Sequence, residues 1–269
     1  MSSNGSVVPR VTTRTLQKMR DNDDPITMLT AYDYPMARLL DQAGVDVLLV
    51  GDSMGMVVQG HDTTLPVTMD QMIYHAEMVG RATDRAMVVV DLPFPEGQIG
   101  IERSIEAGVR VLKDTRCHAV KLEGGAEQAD RIAAMVTAGI PVMAHVGLRP
   151  QNIHVDGGYR LQRDTDRLVA DARAAEQAGA FAVLIECVPS SVAAAITDAV
   201  KVPTIGIGAG SAVSGQVLVT HDILGLTTGY TPKFTRNFAE IGKAIGQAAA
   251  DYVAQVKSGG FPSKSESFS

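Results

Sequence analysis

The stretch Ala178-Gly-Ala-Phe-Ala-Val-Leu-Ile-Glu-Cys-Val-Pro189 decides how the rest of the chain is read. Upstream, Asp164 to Ala178 is rich in alanine and charged residues, and Gly179 offers the left-handed backbone that closes a helix. Phe181 to Glu186 then runs apolar without alternation, as strands covered on both faces do. A carboxylate ends the run, and a second helical stretch follows from Ser191 to Ala199. Helix, glycine, apolar strand, acid and helix, in that order, make up the unit of a parallel α/β fold.

Working outward, the same unit recurs. Besides Phe181–Glu186, strands are predicted at Ile26–Ala31, Val45–Gly51, Met87–Leu92, Ala119–Glu123, Pro141–Val146, Thr204–Gly208 and Gln216–Thr220. Further helices are predicted at Pro35–Ala43, Met69–Arg81, Ile101–Lys113 and Ala126–Ala138. Eight repeats of strand and helix point to a closed (β/α)8 TIM barrel, a single domain over residues 1–269; an open doubly wound sheet is the competitor. Thr12–Arg20 is expected as an N-terminal helix capping the barrel bottom. A last helix, about Phe238 to Val256, carries Phe238, Ile241, Ile245, Ala248, Tyr252 and Val256 on one stripe and is expected to pack on a core. Residues 1–10 and the Gly/Ser-rich tail 258–269 are expected to be loosely ordered.

Composition excludes several classes of protein. The chain has 269 residues, 45% apolar and 20% charged, which is enough for a full core and too apolar for disorder. A net charge of −6 argues against a broad nucleic-acid or anionic-membrane surface. Cys117 and Cys187 are too few for a disulfide framework and fit a reducing cytoplasm. No apolar run approaches the ~20 residues that span a bilayer, and Met1 to Arg10 lacks the apolar core of a signal peptide. A cytoplasmic protein without nucleic-acid or membrane partners is expected.

The polar residues carry the functional signal through their positions. Asp52, Asp91, Glu123, His145, Glu186 and the glycines of Gly206–Gly210 fall at or just after strand C-terminal ends. In a parallel barrel those ends share the rim where active sites are built. Adjacent strands lie ~4.8 Å apart, so Asp52, Asp91 and Glu123 can reach one point. Three close carboxylates repel one another unless a cation lies between them, and an all-oxygen set suits Mg²⁺. Each acid alone could equally be a helix cap.

Lys121 shares a strand face with Glu123 and is a fixed cation for a substrate carboxylate, a Schiff-base lysine, or an ion-pair partner of Asp91 or Glu123. With so many acids nearby it is expected to be charged, against the imine. Glu186 closes an apolar strand, where desolvation raises a carboxylate toward the range of a useful base; its other reading is a cap for the next helix. His145 is either a donor to a substrate oxygen or a core histidine. Cys187 is tempting as a nucleophile, but an inert buried thiol is commoner. Gly206-Ile-Gly-Ala-Gly-Ser211 lacks the last glycine of a dinucleotide fingerprint and reads instead as a turn that lets backbone N–H groups approach a ligand.

Several stretches together resemble one family. Leu49-Val-Gly-Asp-Ser-Met-Gly-Met, Gln59-Gly-His-Asp-Thr-Thr-Leu-Pro-Val-Thr, Asp91-Leu-Pro-Phe and Val120-Lys-Leu-Glu-Gly-Gly resemble ketopantoate hydroxymethyltransferase, also called 3-methyl-2-oxobutanoate hydroxymethyltransferase. Ala144-His-Val-Gly-Leu-Arg-Pro-Gln, Glu186-Cys-Val-Pro, Gly206-Ile-Gly-Ala-Gly and Pro232-Lys-Phe extend the resemblance, in order, from about Thr12 to Phe261. It implies a barrel of the phosphoenolpyruvate/pyruvate superfamily, a homodecamer, and transfer of a one-carbon unit from 5,10-methylenetetrahydrofolate to 3-methyl-2-oxobutanoate in pantothenate synthesis.

It further implies that Asp52, Asp91 and Glu123 hold Mg²⁺, and that Asp52, Ser53, Asp91 and Lys121 contact the ketoacid. Glu186 is then the proton acceptor, and His145 a donor near the developing charge. A metal-stabilised enolate attacking the folate methylene is the expected mechanism. The chain departs from the family pattern at Pro95-Glu-Gly-Gln, after Gln162 and at Glu266-Ser267-Phe268, all in loops. The rivals are a lyase or mutase on the same barrel and a catalytically silent binding module; the intact set of acids argues against the second.

Overall fold

The computed structural model describes residues 9–268, so the expectation for the first residues lies largely outside it. Eight parallel strands close into a barrel in chain order. They are β1 (Ile26–Thr30), β2 (Val47–Val50), β3 (Met87–Asp91), β4 (Ala119–Glu123), β5 (Val142–Gly147), β6 (Ala182–Glu186), β7 (Thr204–Ile207) and β8 (Gly215–Leu218). Pairing of β1 with β8, Met28 opposite Val217, completes the ring and rules out the open sheet. Every strand lies within two residues of its predicted position.

Side-chain parity sorts the strand residues into two cores. Ile26, Met28, Val47, Leu49, Met87, Val89, Ala119, Met143, Ala182, Leu184, Ile205 and Val217 fill the barrel interior. The alternate residues Leu48, Val50, Val88, Val90, Val120, Leu122, Val142 and Ala144 pack outward with helix residues such as Met72, Val79, Val111 and Ile132. Counting by twos from the interior set, 87-89-91, 119-121-123, 143-145 and 182-184-186 put Asp91, Lys121, Glu123, His145 and Glu186 on the inner face, above the apolar layers.

Helix α1 (Thr13–Asp21) begins at Thr12, whose hydroxyl accepts from the Thr15 N–H. It supplies Leu16, which with Val11 joins the interior cluster; this is the capping role expected of Thr12–Arg20. Helix α2 (Tyr34–Gln42) follows β1, and the single turn α3 (Met54–Val57) and α4 (Met69–Ala82) follow β2. Then come α5 (Ile101–Asp114) after β3, α6 (Ala129–Thr137) after β4, and α7 (Ile153–Asp156) and α8 (Thr165–Gln177) after β5. Helix α9 (Ser190–Ala199) follows β6. The short turns α3 and α7 are not visible in the sequence pattern, because four residues are too few to show a period.

The sequence reading takes 1–269 as one domain; contacts group the chain into two compact units, Met1–Leu218 and Val219–Ser269. The second holds α10 (Thr220–Ile223), α11 (Ile241–Ser258) and a capped 3₁₀ turn at Lys264–Glu266. Helix α11 forms where the apolar spacing places it and ends at Gly259 with φ 74°. The expected packing on a core is not found, since no residue of α11 is buried. Among the described residues of 219–268 only Thr220 and Asp222 are buried, so this unit has no apolar core to receive the stripe. Spacing reveals an apolar face but not what covers it.

Candidate active site at the C-terminal rim

Asp91 is the last residue of β3 and the register partner of Lys121 on β4. The lysine Nζ lies 3.0 Å from Asp91 Oδ1, and the backbone N–H of Asp52 donates to Asp91 Oδ2 at 3.0 Å. Asp52 itself stands two residues beyond β2, in the turn leading into α3. Next along the rim, Lys121 Nζ donates to His145 Nδ1 at 3.1 Å. That contact leaves the ring proton of a neutral imidazole on Nε2. His145 Nε2 is 3.2 Å from Glu186 Oε2 on β6. A continuous line of contacts therefore runs Asp52, Asp91, Lys121, His145, Glu186, and Glu123 joins it 3.8 Å from His145 Nδ1.

Electrostatics follow from burial. Asp52, Asp91, Lys121, Glu123 and His145 are all buried, while the Glu186 side chain keeps 18% of its accessibility. Burial pushes the Asp52 carboxyl up to about 7, and the Asp91 charge adds to this. Burial and then Asp52 hold Glu123 well above the usual carboxylate range. Burial lifts Glu186 to about 7, against a lowering pull from Lys121. His145 is held well below the ordinary imidazole range, by burial first and Lys121 second, and so is neutral. Burial alone would lower Lys121, but Asp91, Glu123 and Asp52 outweigh it and keep the ammonium protonated. Cys187 is pushed up to about 12 by burial and Glu186, so its thiol stays protonated and is no nucleophile.

Backbone geometry aims Glu186 into this line. Gly147, its register partner on β5, has φ 97°, and a Cβ there would stand 2.2 Å from the Glu186 carbonyl oxygen. Only glycine permits β5 and β6 to approach so closely at the rim.

Three further residues enter the site that the sequence reading did not select. Tyr32, just after β1, is buried, and its hydroxyl lies 2.8 Å from Ser53 Oγ. Gln151, after β5, donates from Nε2 to Asp52 Oδ2 at 2.9 Å and from its backbone N–H to Glu123 Oε2 at 3.0 Å. Tyr159, in the loop beyond α7, donates its hydroxyl to Met56 Sδ at 3.6 Å. Burial raises the Tyr159 phenol, with the charges of Asp52, Glu186 and Glu123 adding to it. Uncharged residues in loops gave no signal for selection beyond the quoted Leu148-Arg-Pro-Gln151 stretch.

Four carboxyl groups surround one ammonium and one neutral imidazole, and three of the four, Asp52, Glu123 and Glu186, are raised by burial above the usual carboxylate range. Glu123 Oε1 is buried without a hydrogen-bond partner. Among the described residues no three His, Cys, Asp or Glu side chains close on one point tightly enough to hold an ion unaided. Asp91 is turned toward Lys121 and the Asp52 N–H instead. Mg²⁺ asks for less than a closed cage, since it takes one or two carboxylates and completes its octahedron with waters and substrate oxygens. The hard-oxygen donors and the orphaned Glu123 oxygen fit such an ion.

Comparison with known proteins decides the lineage. The ketopantoate hydroxymethyltransferase family profile matches residues 10–264. The chain belongs to that family. A 3-methyl-2-oxobutanoate hydroxymethyltransferase of Rhodopirellula baltica is 77% identical over 259 residues, covering 96% of each chain. One from Salinibacter ruber is 51% identical and covers 97% of this chain and 100% of its own. Among solved structures, phosphonopyruvate hydrolase in complex with oxalate and Mg²⁺ superposes with a TM-score of 0.64 at 16% identity, over 94% of this chain and 92% of that one. A 2,3-dimethylmalate lyase of the PEP mutase/isocitrate lyase superfamily gives 0.59 at 18% identity, over 96% and 91%. These two likenesses establish the barrel architecture of this family member.

Proposed function

We propose that this chain transfers a hydroxymethyl group to 3-methyl-2-oxobutanoate, giving 2-dehydropantoate, with 5,10-methylenetetrahydrofolate as donor. The observation that carries the reading is the line of buried acids about Lys121, in a chain 77% identical to an enzyme named for this reaction. Asp52 and Glu123 are the residues that would hold Mg²⁺, joined by Asp91 through an oxygen lone pair that its contacts with Lys121 and the Asp52 N–H leave over. A divalent ion there supplies polarisation of the ketoacid's 2-oxo group, which acidifies the neighbouring C3–H.

The remaining work falls to the chain's own side chains. Glu186, raised to about 7, is a base matched to neutral pH and accepts the C3 proton on its carboxylate. Neutral His145 sets its Nε2 3.2 Å from Glu186 Oε2 without hydrogen-bonding to it, which leaves that N–H to donate to a substrate oxygen beside the base. Lys121 stays cationic and gives the ketoacid carboxylate a fixed counter-charge, with Ser53 as a hydroxyl partner beside it. The deprotonated C3 then forms a bond to the donor methylene carbon, both methylene–nitrogen bonds to folate break, and water supplies the hydroxyl. The two folate nitrogens take up one proton from C3, by way of Glu186, and one from the water. The products are 2-dehydropantoate and tetrahydrofolate.

Exposed Ile245, Tyr252 and Val256 on α11 support self-association, which the family reading makes a homodecamer. The free Cys117 and Cys187 support a cytoplasmic setting, and among the described residues no helix is long and apolar enough to cross a membrane. Light scattering of the purified chain is expected to give a mass of ten copies. Turnover of 3-methyl-2-oxobutanoate with methylenetetrahydrofolate, run with and without added Mg²⁺, tests the reaction. Formation of 2-dehydropantoate only with the metal is the expected result; none under any condition would overturn it.

A further inference from the structure

Gln151 is buried, yet every polar group of its side-chain amide is used. Its Nε2 donates to Asp52 Oδ2 at 2.9 Å and to the Leu92 carbonyl at 3.0 Å. Its Oε1 accepts from Gln98 Nε2 at 2.8 Å. The orientation is forced, because a flipped amide would set its oxygen against two acceptors. Its backbone N–H meanwhile donates to Glu123 Oε2 at 3.0 Å. One residue therefore ties together the ends of β2, β3 and β4 from a position after β5. Gln98 is steadied in turn, its carbonyl accepting from Arg131 Nη2 at 3.3 Å.

We infer that Gln151 is the positioning residue of the acid cluster, holding one oxygen each of Asp52 and Glu123 so that the opposite oxygen of each is presented to a divalent cation. The orphaned Glu123 Oε1 is that opposite oxygen. The inference rests on the metal reading above. An unanchored carboxylate rotates among many orientations, whereas one with an oxygen fixed by an N–H keeps the other aimed. Outer partners of this kind typically set metal affinity by 10–100-fold.

Mn²⁺ affinity, measured by electron paramagnetic resonance on the full-length protein without substrate, tests this directly. Gln151→Met keeps the side-chain length and the backbone N–H but removes the amide; Gln98→Leu keeps Gln151 but frees its orientation. The expected result is at least tenfold weaker Mn²⁺ binding in Gln151→Met and a smaller loss, about threefold, in Gln98→Leu. Gln151→Met leaves Asp52 Oδ2 and the Leu92 carbonyl without this donor, so the metal-free variant should melt below wild type, Gln98→Leu less so. In both, the KM for the ketoacid should rise more than kcat falls. Wild-type affinity in Gln151→Met overturns the positioning role, as does unchanged affinity in Gln98→Leu should the first variant not fold. A wild-type protein that binds no Mn²⁺ overturns the metal reading itself, a distinguishable failure.

Discussion

Asp91 and Lys121 are register partners on β3 and β4, and their side chains meet at 3.0 Å in a buried site. The pairing leaves the ammonium charged and places it between the acids and His145. Lys121→Met strips Asp91 of its cation and should destabilise the metal-free protein by about 3–5 kcal/mol in urea unfolding. The same charge state excludes an imine. Borohydride added with the ketoacid should leave the protein mass unchanged, and a trapped adduct on Lys121 would refute the assignment.

Glu186 titrates near neutrality because burial outweighs the pull of Lys121. A base must be ionised to take a proton, so kcat/KM should climb with pH through about 7 and then level off. Glu186→Gln should lose that limb along with about 10²–10⁴ of the rate, as removal of a positioned base does. A pH profile unchanged in the variant would assign the limb to another group.

Gly147 is a steric prediction. Alanine there would need φ near 97° and would drive a methyl into the Glu186 carbonyl. A loss of about 2 kcal/mol or more is expected, together with a larger fall in kcat than in binding, since the displaced group is the base. Unfolding curves and steady-state kinetics of Gly147→Ala separate the two effects.

At the opposite end of the barrel, His118 accepts the Val88 N–H on Nδ1 and meets the Arg10 guanidinium at Nε2. Burial first and Arg10 second depress it from 6.5 to about 4. Between those values the unfolded chain binds a proton that the folded chain refuses, so stability should fall as pH falls through that window. His118→Asn keeps an acceptor for Val88 without the titration. Its melting temperature should decline less steeply between pH 6.5 and 4 than that of the wild type; parallel slopes would count against this.

The barrel was legible because each buried strand is an unbroken apolar run, and the acids because charge at the end of such a run needs a reason. Lys121 and Glu123 could be placed on one face by counting in twos. The partners of these groups were not legible. That Lys121 bridges Asp91 and His145 depends on register, and that Gln151 reaches back to Asp52 depends on how the loop after β5 folds. Tyr32 and Tyr159 reach the site from loops and carry no charge to mark them. The stripe on α11 was read correctly as a helix and wrongly as packed, because period says nothing of what lies opposite.

The central claim is that the rim acids hold a divalent ion that loosens a ketoacid proton, and that Glu186 takes it. Exchange of the C3 proton of 3-methyl-2-oxobutanoate in D₂O, followed by NMR without any folate, isolates that step. Exchange is expected with Mg²⁺ and wild-type protein, and should vanish on chelation and in Glu186→Gln. Undiminished exchange in the chelated protein, or in Glu186→Gln with Mg²⁺ present, would contradict the account.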